Sequence, residues 1–322
     1  MPWAFAALMV AAMAWGSTVV VAKSAYDSIS PINLLAIRLI LTGVVLLAVF
    51  STRLRMSRRT AVQGLILGAL FTAGISSQMI GLQYTPPSLS GFVTASYVVF
   101  TAIISAVLLR QRQPSTTWLA VGLTIVGIVV LAGGANTGEA GFGFGAALTL
   151  FGAVMFAFHI VLLGRWVRPN TVKQFTVMQA LVGTAAALLV VPFTHFEMPR
   201  DPVLWGQLLY LGIFCGAVTL FLQSWAQSYV AATPSAVIMC SEPVWSAIFA
   251  IGFGFEPLTM FIVVGGSLVV VALLLTVWPR KRRWTMDALM EELKRRRVRA
   301  PQPAPRASAP ESALPESRDY SA

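Results

Sequence analysis

Of 322 residues, 57% are hydrophobic and only 11% charged, against about 45–50% and about 25% in a soluble domain, so a water-soluble fold cannot hide this much apolar surface. The net charge of +11 would suggest nucleic-acid binding in a soluble chain. Here the basic residues form short groups between apolar spans, plus a dense run from Arg280 to Arg299. No nucleic-acid partner is expected, and the charge reports topology and contact with membrane lipids.

Apolar runs bounded by charge, Pro or Gly predict helices over Trp3–Ala22, Pro31–Phe50, Ala61–Leu82, Pro87–Leu109 and Trp118–Ala132. A glycine-rich break from Gly133 to Gly145 follows, and then come Phe142–Leu163, Phe175–Phe193, Val203–Ala226, Pro234–Phe253 and Leu258–Trp278. Several runs approach the roughly 20 residues that cross about 30 Å of hydrocarbon. The first run has no Lys or Arg before Lys23, so it lacks the basic start of a signal peptide and is expected to remain as a helix. Cys215 and Cys240 sit inside apolar spans without metal-ligand or redox spacing, and read as small packing residues.

Lys and Arg counts in alternate loops set the expected orientation. Thirteen lie on one side (Arg53, Arg55, Arg58, Arg59, Arg110, Arg112, Arg165, Arg168, Lys173 and Arg280 to Arg283) and two, Lys23 and Arg200, on the other. Both termini are therefore predicted to be cytoplasmic.

The two halves match at nearly constant offset. Trp15-Gly16 pairs with Phe156-Ala157 and Arg38 with Gln179 at 141, while Gln78 and Gln223, Tyr84 and Tyr229, and Ser90 and Ser235 pair at 145. Thr101-Ala102-Ile103 and Ser246-Ala247-Ile248 also pair at 145, and Gly122 and Gly265 at 143. Because each unit holds five helices, an odd number, the second must enter the membrane from the opposite side, which gives an inverted repeat of the kind secondary transporters use. The expected fold is an all-α integral membrane protein of about ten transmembrane helices as two inverted five-helix repeats, 1–133 and 142–278. Residues 279–322 form a basic, Pro-rich cytoplasmic tail, with an amphipathic stretch from Trp284 to Val298 and disorder after Ala300.

These halves, with Trp15-Gly16, Arg38, Gly81-Leu82-Gln83-Tyr84-Thr85, Ser241-Glu242-Pro243-Val244 and Phe255-Glu256-Pro257-Leu258, resemble the EamA branch of the drug/metabolite transporter superfamily. The resemblance covers about Trp3 to Trp278. It implies a ten-helix inner-membrane carrier, commonly an exporter of amino acids or other small metabolites. One departure stands out: where the family has Pro-Val in the fourth helix this chain has Val98-Val99, which leaves a hinge expected only in the ninth, at Pro243.

Three ionisable side chains lie well inside spans: Arg38, His159 and Glu242. Charge there costs about 2.5–3.5 kcal/mol on the mildest insertion scale and marks a pathway. Arg38 is seven residues past Pro31 and Glu242 eight past Pro234, roughly 10 and 12 Å deep at the helical rise. Arg38 reads either as an anchor for a substrate carboxylate or as a tie to helix ends or to Glu242. Glu242 reads as a partner for a substrate amine or a coupling proton, or as a static partner of Arg38. For His159 the competing reading is a hydrogen-bonded packing residue.

Ser90, Thr94, Tyr97, Thr101 and Ser105 fall on one helix face, and their counterparts are Ser235, Met239, Glu242, Ser246 and Ala250. Two polar stripes in lipid call for a wet or protein-filled neighbour. Trp15, Tyr97, Trp225 and Trp245 are mid-span rings that either pack or line the path, and Gln78, Gln179 and Gln223 offer hydrogen bonds. Gly16, Gly68, Gly91, Gly122, Gly127, Gly265 and Gly266 are expected at close helix contacts.

The reading is a secondary transporter working by alternating access, possible proton coupling being assigned to Glu242. Its substrate site is expected at Trp15, Arg38, Tyr97, His159, Gln179, Glu242 and Trp245. No cofactor, metal or nucleotide-binding loop is expected. A membrane-embedded enzyme acting on a lipid-linked substrate is the rival, but it needs paired acids and the intramembrane acid is single. A receptor would need an extramembrane domain. The partners are a small-molecule substrate and membrane lipids, with a homodimer left open.

Overall fold

The computed structural model describes residues 2–50, 56–110, 115–134, 143–196, 198–255 and 257–277. The tail from 279 to 322, with its amphipathic and Pro-rich parts, lies outside them, as do residues 135–142 of the glycine-rich break and Arg53, Arg55 and Arg112.

Every described element is helical. In chain order these are α1 (Pro2–Ala25), α2 (Pro31–Phe50), α3 (Arg58–Leu82), α4 (Pro87–Ala95), α5 (Tyr97–Val107), α6 (Ser115–Gly134), α7 (Phe144–Trp166) and α8 (Val172–Val190), the last extended by a 3₁₀ turn at Val191–Phe193. Then follow α9 (Pro202–Leu209), a π-helical segment (Tyr210–Val218), α10 (Thr219–Gln227), α11 (Ala232–Met239), α12 (Glu242–Gly252) and α13 (Met260–Val277). Among the described residues, eight helical stretches are long and apolar enough to cross a membrane, and two shorter apolar ones, Trp118–Gly127 and Met260–Ala272, lie in α6 and α13. The chain is an all-α, multi-pass membrane protein.

The burial pattern suits a lipid solvent. Val44, Val49, Leu65, Val129 and Leu189 are exposed, whereas Ser90, Thr94, Thr101, Ser105, Gln78 and Ser246 are buried. Helices in lipid gain nothing by burying leucine, so they pack through small and polar residues. Gly16 is one close seam: a Cβ there would stand 2.6 Å from the Trp245 Cβ and 2.7 Å from the Glu242 carbonyl oxygen, where α1 packs against α12. Gly68 and Gly127 meet neighbours closely too, but a Cβ on Gly122 or Gly266 would meet nothing within 4 Å among the described residues, so those two glycines do not make the close contacts expected of them.

Two features depart from the sequence reading. The fourth crossing is broken at Ser96 as the ninth is at Cys240–Ser241, although only the ninth carries a proline at its break. Ser96 Oγ donates to the Val93 carbonyl at 2.7 Å and Ser241 Oγ to the Ile238 carbonyl at 2.9 Å. A serine that bonds back to its own turn competes with the helical ladder and bends it without proline. The eighth crossing, expected as one regular helix, passes through nine π-helical residues.

Lys23, one of the two basic residues on the sparse side, has a structural use. Its Nζ donates to the carbonyls of Leu82, Gln83 and Thr85 at 2.8, 3.1 and 3.3 Å. These close the end of α3, whose last carbonyls have no helical partner.

Candidate functional site

A cavity lies where the broken crossings meet the others. It is lined by Trp15 and Thr18 of α1, Arg38 of α2, Phe71, Ile75 and Gln78 of α3, and Tyr97 at the start of α5. Phe156, His159 and Ile160 of α7, Gln223 of α10, Met239 of α11 and Glu242 of α12 complete it. Its volume is about 30 Å³, room for one or two waters.

One wall is aromatic: the Phe71 ring lies 6.4 Å from Trp15, 6.0 Å from Phe156 and 5.4 Å from His159. The polar groups are fixed from behind. Arg38, 2% exposed, donates through Nη2 to the Cys215 carbonyl at 3.2 Å, and its Nη1 lies 3.9 Å from the Met79 sulfur. Trp15 Nε1 donates to the same Cys215 carbonyl at 3.1 Å. Gln78 Nε2 donates to Thr94 Oγ1 at 2.9 Å, and Thr94 donates on to the Ser90 carbonyl at 2.8 Å. The Gln78 amide also stands beside the Glu242 carboxylate. His159 is hydrogen-bonded through Nε2 to Gln179 Oε1, and Gln179 Nε2 donates to the Phe175 carbonyl at 3.0 Å. The Tyr97 hydroxyl stands beside the Cys240 thiol, and Gln223 Oε1 is buried without a hydrogen-bond partner among the described residues. Such an orphan costs about 1–3 kcal/mol when left unmet.

Arg38 and Glu242 thus place a guanidinium and a carboxyl group on one cavity, with amides and rings between. A carboxylate on the Arg38 side and an amine or proton on the Glu242 side suit this arrangement, and the rings suit an apolar body.

Of the residues singled out in the sequence, Trp15, Arg38, Tyr97, His159 and Glu242 line the cavity together with Gln78 and Gln223. Gln179 stands behind His159 and sets its ring. Trp245 lines a separate apolar crevice with Met9, Ser241, Val244, Val269 and Val270. Trp225 packs edge-on against Tyr229 at 5.6 Å. Thr18, Phe71, Ile75 and Ile160 gave no signal, because an apolar or hydroxyl side chain on an apolar helix looks the same whether it faces lipid, core or cavity. Phe156 was visible only as the counterpart of Trp15, and Met239 only as a member of the second stripe.

Among solved structures, one crystal structure superposes with a TM-score of 0.68 at 21% identity, covering 92% of this chain and 99% of the other, which supports the fold alone. An uncharacterized transporter of Archaeoglobus fulgidus is 29% identical over 270 residues, 83% of each chain. The uncharacterized inner membrane transporter YedA of Escherichia coli K12 is 24% identical over 263 residues, covering 79% of this chain and 84% of that one. The uncharacterized transporter YyaM of Bacillus subtilis is 24% identical over 270 residues, 80% of this chain and 88% of its own. The pattern of the EamA-like transporter family matches residues 2–133 and again 143–278, so the chain belongs to the EamA-like transporter family.

Proposed function

We propose that this membrane transporter is a secondary carrier that exports amino acids or other small zwitterionic metabolites by alternating access, with proton exchange at Glu242. The observation that carries this reading is the enclosed cavity with Arg38 and Glu242 both facing it. A channel would need a continuous wet path, and an enzyme would need groups placed to make or break a bond. Here a few polar groups are poised against an apolar wall, as small-molecule sites are. Arg38 binds the carboxylate, Glu242 receives the amine or proton, and Trp15, Tyr97 and His159 shape the space. Gln179 acts through His159, and Trp245 acts through the Gly16 seam.

The inverted-repeat arrangement belongs to the same proposal, as do the bacterial-type inner membrane and the cytoplasmic termini. Support comes from the packing. α1 packs on α12 as α7 does on α4 and α5, α3 packs on α7 as α10 and the π segment do on α1, and α2 packs on α8. Exchanging the halves maps each of these pairs onto another of them or onto itself. Cysteines introduced at Asp27 or Asp201 in a cysteine-free background will react with an impermeant thiol reagent on intact cells, and cysteines at Arg58 or Lys173 will not; the reverse pattern overturns the orientation.

The function is tested by comparing metabolites of cells overexpressing the wild-type chain with a Glu242→Ala control. Solutes depleted inside and enriched outside are then followed as labelled solutes in proteoliposomes. A solute moved only by the wild type supports the reading, and failure of every such solute to move in proteoliposomes overturns it.

A further inference from the structure

The π-helical segment Tyr210–Val218 does not line the cavity, yet it holds the cavity's walls. A helix that shifts from i→i+4 toward i→i+5 bonding turns carbonyls out of its ladder, and such segments recur at functional sites. The Cys215 carbonyl accepts from Trp15 Nε1 at 3.1 Å, Arg38 Nη2 at 3.2 Å and Thr219 Oγ1 at 2.6 Å, and the Thr219 hydroxyl has the Gly216 carbonyl as a second acceptor at 3.2 Å. Two of the three donors are cavity-lining side chains from different helices. The approach is made possible by Gly212, where a Cβ would stand 2.6 Å from the Leu41 Cβ, and Thr42 Oγ1 donates to the Gly212 carbonyl at 2.8 Å. The Cys215 thiol ties the same turn to α1 by donating to the Ala14 carbonyl at 3.3 Å.

A carbonyl oxygen has two lone pairs, so three donors overcommit it. One donor can leave without orphaning the oxygen, and the exchange costs less than breaking a lone hydrogen bond. Arg38, with five N–H donors, is the donor most able to take another acceptor. We propose, resting on the transport reading above, that the Cys215 carbonyl is the positioning group of the site. It holds Trp15 and Arg38 at the cavity wall and surrenders Arg38 to an anionic group that enters. Thr219, which lines no part of the cavity, sets how tightly Arg38 is held.

The test uses the full chain in lipid nanodiscs without added solute, so its outcome is independent of whether any solute is carried. The rate at which phenylglyoxal modifies Arg38 is read by mass spectrometry. Thr219→Val removes a competing donor, so Arg38 is held harder and its modification slows, about threefold for roughly half a hydrogen bond's net worth. Thr219→Ser keeps the hydroxyl and the wild-type rate. A loosened helix would speed the reaction, so a faster or unchanged rate in Thr219→Val overturns the proposal. A second measurement is amide exchange across residues 210–220, with protection of α3 as the check on folding. Trp15→Phe and Arg38→Met alone each raise exchange by less than about threefold, and together by more than about tenfold, because only the pair removes both cavity-side donors. Simple multiplication of the single effects overturns it.

Discussion

Gln78 and Gln223, 145 residues apart, put the third and eighth crossings in equivalent places, yet the two helices solve the same packing problem differently. The third is a regular α-helix throughout, and at position 71 it sends a phenylalanine ring into the cavity. The eighth is π-helical at the matching stretch, and opposite Phe71 it has Gly216. Where the first half fills space with a ring, the second withdraws its side chain and offers backbone carbonyls to α1 and α2. The paired positions elsewhere follow suit: Arg38 answers Gln179, Tyr97 answers Glu242, and Thr18 answers His159. The matched positions thus differ in side-chain chemistry, a guanidinium against an amide, a phenol against a carboxyl group and a hydroxyl against an imidazole.

Breaking the comparison at Arg38 is expected to have the largest effect. Arg38→Gln makes the second helix resemble the seventh, with Gln at both matched positions. Loss of a charged hydrogen bond of about 1.5–3 kcal/mol corresponds to a tenfold to hundredfold loss of flux. Adding Glu242→Gln will restore neither flux nor thermal stability, since Arg38 bonds to the Cys215 carbonyl. Recovery of both in the double variant would return Arg38 to a tie with Glu242.

At the other pole, Glu242→Gln keeps the shape and removes the titratable proton. The variant will reach the membrane and perform labelled-solute counterflow, but accumulation driven by a pH gradient will fall about tenfold or more, since a glutamine cannot carry the proton. Gradient-driven accumulation at the wild-type rate sinks the proton assignment.

The Gly16 seam sharpens the comparison through stability. Its counterpart is Ala157, so the same contact tolerates a methyl in one half but not in the other. Gly16→Ala forces a Cβ to within 2.6 Å of Trp245 and 2.7 Å of the Glu242 carbonyl, an overpacking of about 1–3 kcal/mol. Ala157→Gly costs about 0.5–1 kcal/mol through backbone entropy. Thermal unfolding in detergent separates them, and equal losses would mean that the seam is not special.

Much of the frame was legible because lipid writes strong signals: long apolar runs, and charges that stand out at Arg38 and Glu242. Proline and glycine marked most ends. The break at Ser96 was missed because serine bends a helix by its own hydrogen bond, which no hydropathy pattern reveals. The π segment left only the Gly212 and Gly216 pair as a trace, since π and α turns share the same composition. Trp245 stands one residue, about 100° of helix rotation, off the stripe position Ser246, and so faces a different crevice. Phe71 and Ile75 could not have been chosen, because cavity and core demand the same residue types.

The smallest effect is expected at Lys23, where the halves differ again. The counterpart of Lys23 is Gly164, and the eighth crossing ends without a lysine cap: there Gln227 Nε2 donates to the Ile160 carbonyl at 3.1 Å. In the first half the ammonium serves three carbonyls at the end of α3. Hydrogen bonds from a charged donor contribute about 1.5–3 kcal/mol when dry, but Lys23 is only partly buried and water competes for the carbonyls. The discounted figure is about 1 kcal/mol. Lys23→Met will lower the thermal midpoint slightly and raise amide exchange at residues 80–86, while the end of α10 keeps its protection. Lys23→Arg, which restores a cation and more donors, will recover most of both. If Lys23→Met leaves exchange at 80–86 unchanged, the three contacts carry no stability, and the lysine on the sparse side has no capping role.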